Sequence, residues 1–72
     1  MTKKDLIKLL ESAIGERRGF KFVFTGPGNI RVYHDVDIFT SYFITDVVEK
    51  AGNYFTGITN DADGKLYMLF TY

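Results

Sequence analysis

Hydrophobic and polar positions along the chain change their period repeatedly, and each change marks a new element. Near the start, Leu6, Leu9, Leu10 and Ala13 recur at i, i+3, i+4 and i+7, with Ile7 and Ile14 widening the stripe. That spacing predicts an amphipathic helix. Thr2 precedes it as N-cap, Asp5 stands three residues on in the capping-box position, and Gly15 suits the position just past the end. After a polar link at residues 16–19 the period drops to two. Phe20, Phe22 and Phe24 alternate with Lys21, Val23 and Thr25, which predicts a strand with its Phe face on the core. Gly26-Pro27-Gly28-Asn29 is turn chemistry, and residues 30–34 alternate again to complete a hairpin.

Residues 35–44 carry two patterns at once. Phe39, Tyr42, Phe43 and Ile44 are strand-favouring types, yet Phe39, Phe43, Val47 and Ala51 also fall at i, i+4, i+8 and i+12. The helical period predicts a second helix over residues 40–51, with Gly52 past its end. The competing reading keeps residues 38–44 extended and starts a short helix at Thr45. Residues 54–59 predict a third strand. Residues 60–64 form a hairpin loop with Gly64 in a left-handed conformation. Residues 65–72 predict a fourth strand, with Leu66, Met68, Phe70 and Tyr72 on one face.

Helix, hairpin, helix, hairpin is the order of an α+β two-layer sandwich, α-β-β-α-β-β. Its antiparallel sheet has about four strands, and two helices cover one face. Two helix-plus-hairpin units also point to an internal pseudo-repeat. The order is the one a ferredoxin-like domain acquires if its first strand is moved to the end, a relation of topology that carries no function.

Seventy-two residues make one domain, and 46% hydrophobic content with seven Phe and five Tyr can fill one core. There is no cysteine, which excludes disulfides, thiolate catalysis and Cys-based zinc sites and favours an intracellular home. No apolar run approaches the roughly 18 residues of a membrane span. The expectation is a soluble, cytoplasmic protein without membrane contact. Net charge is zero, but residues 1–34 hold seven basic and three acidic groups, and residues 35–72 hold two basic and six acidic. The folded domain is therefore expected to carry a charge dipole.

Catalytic and metal-binding patterns fare poorly. Residues 60–64 look faintly like a calcium loop, but aligned on Gly64 the first ligand position is Thr59 and the bidentate acid position is Phe70. Gly26-Pro27-Gly28 lacks the lysine and the following helix of a phosphate loop. His34 is the lone histidine. Beside Asp35 and Asp37 it is a conceivable general base, though neighbouring strand residues point to opposite faces. Ser12 and Ser41 have no base assigned to them. No cofactor, no metal and no enzymatic activity are expected.

The informative feature is the sheet face turned away from the helices. With the Phe residues inward, Lys21 and Val23 point out, as do Arg31, Tyr33, Tyr67 and Leu69. Val23, Tyr33, Tyr67 and Leu69 are candidates for a protein interface, with a protein partner or a second copy as occupant. Arg17, Arg18, Lys21, Arg31, Tyr33 and Tyr67 are candidates for the alternative, a nucleic-acid site combining cations with stacking platforms. The first ten residues resemble the opening helix of HicA-type RNA-cleaving toxins. That family's glycine–histidine signature is absent, since Asn29 follows Gly28, and no membership is assigned. The expected role is a small non-enzymatic binding module, such as an accessory protein of a phage or mobile element.

Overall fold

The computed structural model describes residues 2–35 and 39–72. Helix α1 (Lys3–Ile14) leads into the hairpin β1 (Phe20–Val23) and β2 (Asn29–His34). Helix α2 (Ser41–Ala51) follows, and a one-turn 3-10 helix at Gly52–Tyr54 joins it to β3 (Phe55–Asn60) and β4 (Leu66–Thr71). The four strands form one antiparallel sheet in the order β1-β2-β4-β3. This is the strand order of a ferredoxin-like sheet whose first strand has been moved to the end.

Both helix starts follow from a threonine. Thr2 Oγ1 accepts the Asp5 amide and Thr40 Oγ1 accepts the Phe43 amide, each at 3.2 Å. A cap of this kind satisfies one orphan donor of the first turn. The Thr40 cap decides between the two readings of residues 40–44 in favour of the helix, because the threonine has extended backbone and Ser41 is already helical. Ile38, the first residue of the competing extended reading, lies outside the described residues.

The core is a single cluster between the layers. Leu6 and Leu10 of α1, Val47 of α2, Ile30 and Val32 of β2, and Met68 and Phe70 of β4 are all essentially inaccessible. Each such side chain contributes about 1.5–3 kcal/mol relative to leaving it in water. Leu6, Leu10, Ile14 and Gly15 are matched in the second unit by Phe43, Val47, Ala51 and Gly52 at the same spacings. The central strands of the two units pair with each other antiparallel. The order helix, hairpin, helix, hairpin that the sequence pattern predicts is therefore found, with the second strand of each hairpin at the sheet centre.

Several element ends depart from the sequence expectation: Asn60 belongs to β3 where the loop was expected, and Lys65 lies outside β4. Strand β1 ends at Val23, so Phe24 leaves the alternation and is 44% exposed, with Lys3 Nζ 3.8 Å above its ring. Gly52 is right-handed, φ −60°, and continues into the 3-10 turn where a left-handed stop was expected. That turn takes up Tyr54, and β3 accordingly begins at Phe55. Tyr72 lies past the end of β4 and is exposed, where the alternation had put it on the core face.

Candidate functional site

The strand register arranges the outer face of the sheet in rows. Lys21, Tyr33, Tyr67 and Thr59 lie side by side across the four strands, and Val23, Arg31, Leu69 and Gly57 form the next row. Their sequence neighbours Phe22, Val32, Met68 and Ile58 make the corresponding row on the helix side. Six predicted residues (Lys21, Val23, Arg31, Tyr33, Tyr67 and Leu69) therefore converge on one surface.

On that surface the side chains are bound to one another. Arg31 lays its guanidinium 4.4 Å above the Tyr67 ring, and the Tyr33 and Tyr67 rings meet at 5.4 Å. Arg31 Nη1 donates to the Tyr33 hydroxyl at 3.2 Å, and that hydroxyl donates to Asp61 Oδ2 at 3.0 Å. The other oxygen, Asp61 Oδ1, accepts the amides of Asp63 and Lys65, each at 2.9 Å. Tyr67 is only 7% exposed although it points away from the core, because its neighbours close over it. The face is thus preorganised, and its one arginine already shares a network with a carboxylate.

Titration behaviour follows from the same contacts. The Lys65 amide, aided by the Tyr33 hydroxyl and the Asp63 amide, holds the Asp61 carboxyl below its ordinary value against a smaller opposing effect of burial. Arg31 is raised, chiefly by its hydrogen bond to Tyr33. Both groups are consequently charged at neutral pH.

A shallow cleft of about 260 Å³ opens beside this network, lined by Lys21, Val23, Tyr33, Asp61 and Lys65. Lys65 and Asp61 were not among the sequence-predicted site residues. Asp61 shows itself in the sequence only as an acid of a turn, since its reach to Tyr33 depends on β2 and β4 being neighbours. The carboxylate's hold on three donors accounts for its place in the loop.

Arg17 and Arg18 do not join the face. Arg17 bonds the Ala13 and Ile14 carbonyls at the end of α1, pairs with Asp46 of α2 at 2.7 Å and lies over the Phe43 ring. Arg18 lines a separate cleft with Glu11, Phe20 and Phe22, on the helix side of β1. These contacts bring neither arginine to the outer face.

His34 ends β2 on the helix side, its ring 4.5 Å from that of Phe20. Because the strand stops there, Asp35 is not forced to the opposite face, and its Oδ1 lies 3.8 Å from His34 Nε2. His34 Nε2 also faces the Arg18 carbonyl at 3.3 Å, while Nδ1 is buried against apolar rings without a hydrogen-bond partner. His34 lines a small cleft of about 180 Å³ with Arg17, Phe20, Phe39, Thr40 and Phe43. Ser12 accepts a hydrogen bond from Lys50, and Ser41 begins α2. Asp37 lies outside the described residues. No group of three or more metal-ligating side chains occurs among the described residues.

No described helix is long and apolar enough to cross a membrane. Comparison of the chain with protein-family models, with curated proteins and with solved structures finds no match.

Proposed function

We propose that this chain is a non-enzymatic binding module that recognises a protein partner through the outer face of its sheet. The observation that supports this most is the state of Arg31, stacked on Tyr67 and linked through Tyr33 to Asp61. Fixed tyrosine and arginine side chains beside apolar Val23 and Leu69 are the composition of an interface centre, where little side-chain entropy remains to be lost. The same arrangement weakens the nucleic-acid reading. Phosphate contacts dominate such affinities, and here Asp61 lines the same cleft as Lys21 and Lys65.

Two measurements separate the readings. Labelled single-stranded RNA and duplex DNA are titrated with the protein at about 50 and 200 mM salt, a range over which phosphate-driven affinity falls steeply. No micromolar binding is expected. Micromolar binding that drops with salt and is lost in Lys21→Ala would replace the protein reading by the nucleic-acid one. In parallel, any partner captured by the wild-type chain is expected to be lost by both Tyr33→Ala and Leu69→Ala; one that survives both substitutions contacts a different surface.

A further inference from the structure

The two edges of the sheet are guarded unequally. Strand β1 is four residues long, carries Lys21 and runs into Gly26-Pro27. A lysine and a nearby proline are among the devices that keep an edge from pairing with foreign strands. Strand β3 at the other edge is six residues, Phe55-Thr56-Gly57-Ile58-Thr59-Asn60, without a single charge. Its register is disturbed only between Phe55 and Gly57, which leaves residues 57–60 regular. Along such an edge, alternate amides and carbonyls point away from β4 and have no ladder partner within the sheet.

The layer above continues this surface. Asp46 and Lys50 face α1 and the link after it, since they bind Arg17 of that link and Ser12 of α1. Ile44 and Val48, spaced i and i+4 with Val47 on the core, lie on the opposite flank of α2. Helix α2 is also the helix that contacts β3. Val48 is 48% exposed, and Ile58, on the helix side of β3, is 39% exposed. Backbone template and apolar flank thus share one edge of the molecule.

We infer that this edge pairs with the same edge of a second copy, β3 against β3 antiparallel, to give a closed dimer with one continuous sheet. A two-fold axis normal to the sheet satisfies the outward backbone groups of both edges. It also sets the Ile44 and Val48 flanks of the two α2 helices on the same side of the joined sheet. An isologous contact of this kind brings no like charges together, because β3 has none. The guarded β1 strands become the outer edges of the joined sheet, so assembly stops at two chains. The dimer leaves both outer faces open and is independent of their role as a partner site.

Sedimentation velocity of the full chain at low and high micromolar concentration tests this, with Val48→Lys and Ile58→Lys as variants and circular dichroism as the control for folding. Both positions are exposed, and a lysine on an edge strand opposes pairing. The wild type is expected to sediment as a dimer of the 8.3 kDa chain. Each variant is expected to be weakened at least about tenfold in dimer affinity, or about 1.4 kcal/mol. A wild type that stays monomeric, or a dimer that either substitution leaves intact, overturns the inference. Leu69→Ala should leave the dimer unchanged; its dissociation would move the interface to the outer face and overturn the inference as well.

Discussion

Asp61 holds three donors with two oxygens, and its consequences are local and measurable. Its carboxylate closes the β3–β4 loop through the Asp63 and Lys65 amides and reaches across the sheet to the Tyr33 hydroxyl. The folded state therefore holds this carboxyl below its ordinary value. A group depressed in this way stabilises the fold above its unfolded value, about 3.9. The contribution fades as pH falls from there through the lower folded value. Asp61→Asn keeps an acceptor for the amides but removes the charge. Urea midpoints measured between pH 7 and pH 2.5 should show the wild type ahead near neutrality, with the gap closing below about pH 4. A gap that stays constant with pH would mean the charge itself contributes nothing and only the hydrogen-bond geometry counts. Little of this network was legible from sequence. Arg31, Tyr33 and Tyr67 were placed on one face by alternation alone, whereas the Tyr33–Asp61 contact spans 28 residues of chain and exists only because β2 lies beside β4.

Elements were readable where periodicity and end signals agreed. Helix α1 had a continuous stripe, a threonine cap and a terminal glycine, and it appears within the predicted bounds. Helix α2 was ambiguous because aromatic and β-branched residues fill its first turns, yet Thr40 caps it as Thr2 caps α1. Tertiary packing resolves the conflict: Phe43 stacks on Phe20 at 4.5 Å, a contact available only if the segment is helical over the sheet. The misplaced ends have physical reasons too. Phe24, past the end of β1, lies under the Lys3 ammonium and stays exposed, so the third phenylalanine of the alternation does not join the core. Removing the α2 cap tests how far this helix depends on its start. Thr40→Ala should lower unfolding free energy by about 1 kcal/mol, within the usual 0.5–2 range for a lost threonine cap. Thr2→Ala at the start of α1 should cost less, since its cap bond is exposed whereas that of Thr40 is partly buried. Denaturant midpoints of the two variants give the comparison; equal losses would show that the two caps are equivalent.

At the scale of the molecule, opposite charges of the two helix-plus-hairpin units meet at the surface while the core holds the units together. The basic first unit meets the acidic second unit at Arg17–Asp46 between the helices and through Arg31, Tyr33 and Asp61 on the sheet. Part of the dipole expected from sequence is therefore neutralised by pairing at the surface. The strand order β1-β2-β4-β3 makes a further prediction about how little the chain's connectivity matters. Lys3 sits over Phe24, and the Tyr72 amide bonds the Gly28 carbonyl at 2.9 Å, so both ends of the described chain lie at the β1–β2 turn. Phe24 and Gly28 are four residues apart, and extended chain covers about 3.3–3.6 Å per residue, so a linker of about six to eight residues joins Tyr72 to Thr2. Opening the permuted chain between Asp63 and Gly64 then gives the order β-α-β-β-α-β, the unpermuted ferredoxin-like arrangement. All strand pairs and the buried cluster are retained, so the permutant is expected to fold with the wild-type circular dichroism spectrum and the same denaturant m-value. Its midpoint should be lower, because the cut separates Asp61 covalently from the Lys65 amide it holds and lets both loop ends fray. A permutant with a reduced m-value would show that the β3–β4 loop is needed to complete the sheet, and that the connectivity found here is part of what specifies the fold.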